Sequence, residues 1–169
     1  MYIISRLTHD LLEKHSKIFG MFQPSFLMLC GSSPHSYDSF RRLIFFGEKN
    51  AAAFLVVEKG SKKISAVIVF HQFDKENDLV FMHLIPVGDK GFDSDQIAQA
   101  IRTLLKDTFK KFNLYSIRSN VLGTESRTKK AFEMLGFKQE AELKEQIYIG
   151  NKLEPVLIYT LFAKDLENA

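Results

Sequence analysis

Residues 99–137 constrain the fold more than any other stretch, because they encode a helix, a strand and a second helix in direct succession. The strand is short and covers residues 115–121, and the second helix begins at Thr124 or Ser126 as N-cap and ends at Gly136. In the first helix, apolar residues recur at three- and four-residue spacing and so share one face: Ile97, Ile101, Leu104, Leu105, Thr108, Phe109 and Phe112. A helix packed on a sheet and followed by a strand and another helix indicates a βαβ-type layer.

The first half of the chain predicts mainly strands. Thr8 is suited to cap a helix from about residue 10 to 19, and Gly60 lies in a hairpin turn between two apolar, β-branched runs. Residues 20–39 are interrupted by proline and glycine and predict no regular element, whereas 37–46 again favour a helix. Strands are predicted over residues 3–7, 52–58, 64–70 and 79–85, the last three in antiparallel succession before the long helix.

Two more strands are predicted after Gly136. Residues 141–149 alternate as expected for a strand with one buried face, and 156–162 are almost continuously apolar, which suits a strand covered on both faces or near the sheet centre. The 169 residues fit one core, and no linker or repeat divides them. The sequence therefore predicts a single α+β domain over residues 1–169 with a mixed sheet of six to seven strands flanked by helices.

Composition excludes several classes of protein. An apolar fraction of 46% with 25% charged residues is that of a globular chain rather than a disordered, fibrous or membrane protein. A net charge of +3 is too small to indicate nucleic-acid binding. Cys30 is the one cysteine, so an internal disulfide is excluded and a zinc site is not expected. With no signal-peptide pattern at the N-terminus, we expect a cytoplasmic protein.

Three stretches in sequence order resemble the GNAT superfamily of N-acetyltransferases, nearest its ribosomal-protein N-terminal acetyltransferase branch. They are the helix and following strand at 99–117, the segment Glu-Met-Leu-Gly-Phe-Lys-Gln-Glu at 133–140, and Gly150 with Glu154 before the closing strand. The resemblance implies a splayed sheet that holds acetyl-CoA in the split, and direct acetyl transfer to an amine of a small molecule or a protein N-terminus. It implies no membrane or nucleic-acid partner and is compatible with a homodimer.

The resemblance also implies where acetyl-CoA is held. Strand 79–85 and the residues after it would contact the acyl group and the pantetheine arm, and the loop before the long helix would cradle the pyrophosphate. In that loop Asp93 and Asp95 occupy positions where phosphate should sit; the alternative is that one of them simply caps the helix. The cofactor-binding residues implied are Leu84, Ile85, Val87, Gly88, Lys90 and Gly91, with Lys129 and Lys130 at the nucleotide phosphate.

Three residues are candidates for the chemistry that the resemblance implies. Glu145 or His83 would relay the proton of the attacking amine, and the Thr128 hydroxyl would contact the thiol. Each has an ordinary alternative: a solvent-facing strand residue, a core histidine and a core-facing helix residue. Glu125 and Phe132 stand where the family usually has Asn and Tyr, and Phe132 cannot donate a proton. A second function is therefore also open, a catalytically degenerate binding or regulatory module with weak or no CoA binding.

Overall fold

The computed structural model describes residues 1–16, 41, 44–45, 51–87 and 94–167. Within them the N-terminal half consists mainly of antiparallel strands. In the C-terminal half, helices connect β4 to β5 and β5 to β6. In chain order the elements are β1 (Tyr2–Arg6), α1 (His9–Lys14), β2 (Ala52–Glu58), β3 (Ile64–Asp74), β4 (Leu79–Pro86), α2 (Asp95–Phe112), β5 (Ser116–Leu122), α3 (Ser126–Met134), β6 (Lys138–Ile149), β7 (Lys152–Phe162) and α4 (Ala163–Glu167).

The strands form one seven-stranded sheet in the order β1-β2-β3-β4-β5-β7-β6. Neighbouring strands are antiparallel except β4 and β5, which are parallel because α2 carries the chain back between them. The predicted α+β class and mixed sheet are confirmed. The antiparallel succession of β2, β3 and β4 is confirmed as well.

Apolar side chains cover both faces of the sheet. On one face Met82 and Leu84 of β4 pack with Ile101 and Leu105 of α2 and with Phe132 of α3. On the other face a second core joins the strands to α1, through Leu12, Leu55, Val67 and Val69 among others. Because successive residues of a strand point to opposite faces, β3 and β4 contribute to both cores, which explains their nearly continuous apolar sequences.

The helix ends differ in detail from the sequence predictions. The N-cap of α2 is Ser94, whose hydroxyl accepts from the Ile97 amide at 3.3 Å, so the proposed capping by Asp95 is wrong and Asp93 lies outside the described residues. The N-cap of α3 is Glu125, and its side chain makes no capping bond, so neither Thr124 nor Ser126 fills that role.

Two other helix ends agree with the sequence predictions. The φ of +89° at Gly136 confirms the left-handed stop after α3. Thr8 does cap α1, by accepting from the Leu11 amide at 3.4 Å. Helix α1 ends earlier than predicted, at Lys14 with His15 as its C-cap, rather than near residue 19. Most of the helix predicted over 37–46 lies outside the described residues.

Strand β6 departs most from its prediction. The expected buried face is absent, because β6 is at the sheet edge and its side chains are exposed or half-buried throughout. Its ladder with β7 is interrupted where Leu143 pairs with Val156 and Ile147 with Glu154, so that three residues of β6 face Pro155 alone. Proline has no N–H to donate to a ladder, and the extra residues loop out as a bulge. Strand β7 lies between β5 and β6 and is buried along most of its second half, as predicted.

Candidate active site

The parallel strands β4 and β5 separate after a short ladder. Three pairs join them, Leu79 with Ser116, Val80 with Ile117 and Phe81 with Arg118. Beyond these pairs β4 continues to Pro86 and β5 to Leu122, both within the described residues, without further pairing. The sheet is therefore split between its fourth and fifth strands, and the predicted splayed cleft is confirmed.

The walls of the split are apolar on the face that carries α2 and α3. Met82 and Leu84 line the β4 side, and Val121 lines the β5 side; all three are buried. Helix α3 packs against β4, so it lies across the split on this face. Apolar side chains beside the gap in the ladder suit contact with an aliphatic arm that carries a few polar groups.

Predicted cofactor residues lie along the β4 side of the split and beyond it. Leu84 is buried and Ile85 is half-buried, near the end of β4. The amide of Val87 donates to the Ser65 carbonyl at 2.8 Å, so a contact of Val87 with a ligand has to use its carbonyl or its side chain. Gly88, Lys90 and Gly91, the residues expected to cradle pyrophosphate, fall outside the described residues. The helix that follows begins at Asp95, whose carboxylate stabilises the first turn through the helix dipole but repels a phosphate.

The Thr128 side chain faces the core from the first turn of α3. The residue is 9% exposed, and Ala131 and Phe132 on the same helix are fully buried. This burial fits the core-facing alternative, and it places Thr128 on the buried side of α3, the helix that packs against β4. Phe132 contacts Phe137 at 4.8 Å and stacks on Tyr159 at 5.7 Å between ring centroids, inside an aromatic cluster.

The two lysines proposed for the nucleotide phosphate differ in their environments. The Lys129 ammonium is half-buried and donates to the Gly123 carbonyl at 2.7 Å, which fixes it to the loop between β5 and α3. Its two other N–H groups can still meet an anion. Lys130 is exposed on the same helix. The lysines bring positive charge to the helix that lies across the split.

His83 is buried in the sheet and lies on the face opposite α3, because it pairs with Val69 of the α1-side core. It is 4% exposed, and its ring stacks on that of His71 at 4.7 Å between centroids. Desolvation by burial, with a smaller contribution from His71, lowers the pKa of His83 to about 3. A group that stays neutral at physiological pH and is shielded from solvent fits the core-histidine alternative better than a proton relay.

Glu145 lies at the bulge of β6. Its side chain is exposed and its φ is +53°, a left-handed conformation uncommon for residues other than glycine. Pro155, which faces this bulge, comes directly before the residue that pairs with Leu122 at the end of β5. Glu145 therefore lies at the end of the sheet where the split opens. Tyr148, further along β6, is 67% exposed.

Sequence reasoning missed Ser119, which is buried in β5 directly after the last ladder pair with β4. The signal was available, because Ser119 is the polar residue at an inward position between Ile117 and Val121. Gly123 and Pro155 were also missed. Their contact depends on how β5 and β7 pair, which the sequence does not state.

A separate cleft of about 620 Å³ lies at the opposite end of the sheet. It is bounded by the ends of β1, β3 and α2, including Arg6, Asp74, Lys111 and Phe112. The split opens at the other end, beside Pro86 and Leu122. This cleft therefore does not form part of the candidate site.

Within the described residues no helix has both the length and the apolar character needed to cross a bilayer.

Comparison with known proteins gives similarity at the level of structure. No family model and no curated protein matches the sequence. A crystal structure of spermidine N-acetyltransferase from Vibrio cholerae in complex with CoA and spermine matches with a TM-score of 0.76 at 15% identity, covering 99% of this chain and 98% of that one. A dodecameric structure of the Vibrio cholerae enzyme matches with a TM-score of 0.72 at 15% identity, over 95% and 93% of the two chains. The chain thus has the GNAT-like fold of these N-acetyltransferases over nearly its whole length.

Proposed function

We propose that the chain is an acyl-CoA-dependent N-acetyltransferase that transfers an acetyl group from acetyl-CoA directly to an amine. The observation that carries the proposal is the split between β4 and β5, which begins after three ladder pairs and has buried apolar walls. The fold shared with a spermidine N-acetyltransferase whose structure holds CoA and spermine supports it. Residues 1–169 would act as one domain.

The reaction asks little covalent chemistry of the protein. The nitrogen lone pair of a neutral amine attacks the thioester carbonyl and forms the C–N bond, while the carbonyl π electrons move to oxygen. When they return, the C–S bond breaks and its electron pair leaves on sulfur, which takes up a proton. The proton lost by the amine nitrogen balances that uptake, so the products are an N-acetylamine and CoA thiol. The protein has to accept one proton, stabilise the developing oxyanion and return a proton to sulfur.

Residues of the chain can be assigned to these tasks. Glu145, exposed at the open end of the split, would accept the proton of the amine, and the buried Thr128 hydroxyl would contact the sulfur. Leu84 and Ile85 would meet the acyl group and the arm. Gly88, Lys90 and Gly91 would hold the pyrophosphate, with Lys129 and Lys130 near the nucleotide phosphate. His83 is the weaker alternative base, since its low pKa and its position on the opposite face favour a core role.

The acceptor is best sought among small-molecule amines. The solved structures described above are of enzymes named for spermidine, whereas nothing in the comparisons favours a ribosomal-protein N-terminus. Exposed carboxylates at Glu142 and Glu145 on β6 would attract a polyamine, which is cationic at neutral pH. Spermidine and spermine are therefore the first substrates to test, with an N-terminal peptide as the comparison. A cytoplasmic location and a homodimer are further expectations of the proposal.

A second function, binding or regulation without catalysis, draws on two observations. Asp95 places a carboxylate in the first turn of α2, and Phe132 is buried where the family usually has a tyrosine. This function predicts weak or absent CoA binding and no turnover. The two proposals therefore differ in results that one set of measurements can separate.

The experiment is a thermal-shift titration with acetyl-CoA and CoA, followed by a thiol-release assay with spermidine, spermine and an N-terminal peptide. A ligand at a hundredfold excess over its dissociation constant stabilises the folded state by about 2.7 kcal/mol, which gives a rise in Tm of several degrees. A rise together with amine-dependent thiol release supports the enzyme. Absence of a shift at millimolar acetyl-CoA would rule out the enzyme, and a shift without release from any amine would favour the binding module.

A further inference from the structure

Ser119 marks the closed end of the split. The last ladder pair between β4 and β5 joins Phe81 to Arg118, and Ser119 is the next residue of β5. If the parallel register continued, Met82 would pair with Ser119, but the strands have already separated. Ser119 is thus the first β5 residue beyond the junction, at the point where the split is narrowest.

The Ser119 hydroxyl is enclosed on the face that carries α3. Ser119 alternates with Ile117 and Val121, which belong to the core under α2 and α3, and it pairs across the sheet with Tyr159 of the same core. The residue is 1% exposed, and among the described residues its Oγ has no hydrogen-bond partner. A buried hydroxyl without a partner destabilises the folded chain, because it loses its hydrogen bonds to water and gains none in return.

The surroundings of Ser119 would accept only one end of an acyl-CoA. The phosphates are charged and have to stay near solvent. The chain reaches solvent at the end of β4 and just beyond β5, where Pro86 is half-buried and Thr124 is exposed. At the narrow end Ser119 is flanked by Ile117 on β5 and Met82 on β4, both buried and uncharged. An acyl-CoA lying along the split therefore points its thioester toward Ser119.

We propose that Ser119 is a hydrogen-bond donor to the carbonyl oxygen of the acyl thioester, an inference that rests on the proposed acetyltransferase function. As the amine nitrogen attacks, the carbonyl π electrons move to oxygen, and the Ser119 O–H bond stabilises the negative charge there. The hydroxyl keeps its proton throughout. When the electrons return and the C–S bond breaks, the same contact holds the new amide carbonyl until release. The hydrogen bond is stronger in the charged state than in the ground state, which is what catalysis requires.

A catalytic Ser119 hydroxyl and a purely structural one would respond differently to removal. Because the Oγ is buried without a partner in the described protein, its removal should leave the ligand-free protein equally stable or more stable. A structural hydroxyl would give the opposite result. The same hydroxyl should discriminate between acetyl-CoA, which has the carbonyl oxygen, and CoA, which lacks it.

The test compares Ser119→Ala with Ser119→Thr, which keeps a hydroxyl, and with Ser116→Ala, which removes a buried serine hydroxyl from the ladder-paired part of the same strand. Calorimetry with acetyl-CoA and with CoA measures binding, turnover uses spermidine, and Tm is taken without ligand. For Ser119→Ala we expect at least a tenfold loss of kcat/KM, weaker binding of acetyl-CoA, unchanged binding of CoA and an unchanged or higher Tm. Ser119→Thr should retain most activity, and Ser116→Ala should leave turnover unchanged.

Several results would overturn the assignment. Unchanged turnover in Ser119→Ala, an equal loss of affinity for CoA and acetyl-CoA, or a lower Tm would each contradict it. If these occur while the wild-type chain binds acetyl-CoA and acetylates spermidine, the proposed function stands and Ser119 alone is misassigned. If the wild-type chain neither binds acetyl-CoA nor acetylates any amine, the proposed function fails and the assignment of Ser119 fails with it.

Discussion

Pro155 lies against the backbone of Gly123, so close that a Cβ on Gly123 would stand 2.6 Å from the Pro155 Cγ. The Gly123 amide also donates to the Pro155 carbonyl at 2.9 Å. This contact joins the end of β5 to the hairpin of β6 and β7 just where the bulge bearing Glu145 occurs. Only glycine permits this approach, so Gly123 and Pro155 together determine how the hairpin meets the open end of the split.

Replacing Gly123 with alanine should therefore move or destabilise this junction. We expect Gly123→Ala to lower the free energy of unfolding by about 1–3 kcal/mol, because the proline ring and both backbones have little room to yield. Urea denaturation of the two proteins measures the difference.

Gly60→Ala provides the control for Gly123→Ala. Gly60 lies in the turn between β2 and β3, where an added Cβ has no described atom within 4 Å. Its replacement should change stability little. Equal stability of Gly123→Ala and the wild-type protein would show that the hairpin adapts without cost.

The His83 environment predicts a loss of stability in acid. Its pKa is about 3 in the folded protein against 6.5 in the unfolded chain, so between these values the unfolded state binds more protons. The contribution of His83 is complete above pH 6.5 and is lost as the pH falls toward 3, with a slope of about 1.4 kcal/mol per pH unit. Urea denaturation between pH 4.5 and 8 measures the slope.

The slope of a His83→Leu variant, rather than its absolute stability, decides the pH prediction. Leucine has no titratable group. Below pH 6.5 the free energy of unfolding of the variant should therefore fall less steeply with pH, by the slope that corresponds to about one bound proton. Identical slopes in the two proteins would mean that His83 is protonated equally in the folded and unfolded states.

Glu145→Gln tests the proton acceptor. The amide keeps the size of the side chain but cannot take a proton, so kcat with spermidine should fall by about 100-fold or more, the usual contribution of a general base. Acetyl-CoA affinity, measured by calorimetry, should stay within twofold. Glu76→Gln is the control, since it removes an exposed carboxylate from the turn between β3 and β4, away from the open end of the split. An unchanged kcat in Glu145→Gln would remove Glu145 from the reaction.

Asp95→Asn should change stability and CoA affinity in opposite directions. The carboxylate in the first turn of α2 stabilises the helix by about 0.3–1 kcal/mol through the dipole, and the variant loses that contribution. If pyrophosphate lies before this helix, removing the charge should tighten CoA binding several-fold at low salt and less at high salt.

Asp107→Asn serves as the control for Asp95→Asn. Asp107 is exposed near the other end of α2, where a carboxylate lies far from the helix N-terminus. Its replacement should not tighten CoA binding. Equal CoA affinity in Asp95→Asn and the wild-type protein would place the phosphates elsewhere.

The sequence predicted those elements whose burial pattern is local. The three- and four-residue spacing from Ile97 to Phe112 predicted α2 nearly to its ends, because one face of that helix is buried from Ile97 to Phe109, although Phe112 is 46% exposed. The β-branched runs of β2 and β3 likewise identified two strands in the interior of the sheet. In these segments the apolar residues recur with the period of the element because one face is buried, so the sequence pattern predicts both the element and its buried face.

The site could be predicted less well, because it depends on which strands are neighbours. The exposure of β6 follows from its place at the sheet edge. The low pKa of His83 follows mainly from its burial in the core and, to a smaller extent, from His71 on β3. The sequence of β4 does not indicate that its ladder with β5 ends at Phe81. Ser94 rather than an acidic neighbour is the N-cap of α2, and N-cap preferences do not distinguish them because serine and aspartate are favoured about equally there.

The three-pair junction of β4 and β5 has a consequence for the protein with and without ligand. The two parts of the sheet are joined only by these three pairs, and beyond them backbone groups of β4 and β5 face each other across the gap without pairing. A pantetheine arm carries two amides, so in this gap it can serve as a donor strand that completes the missing ladder. Hydrogen exchange of backbone amides should then slow on acetyl-CoA binding at residues 82–85 and 119–122. The amides at 79–81 and 116–118, which lie in the three-pair ladder, should exchange as slowly before binding as after it.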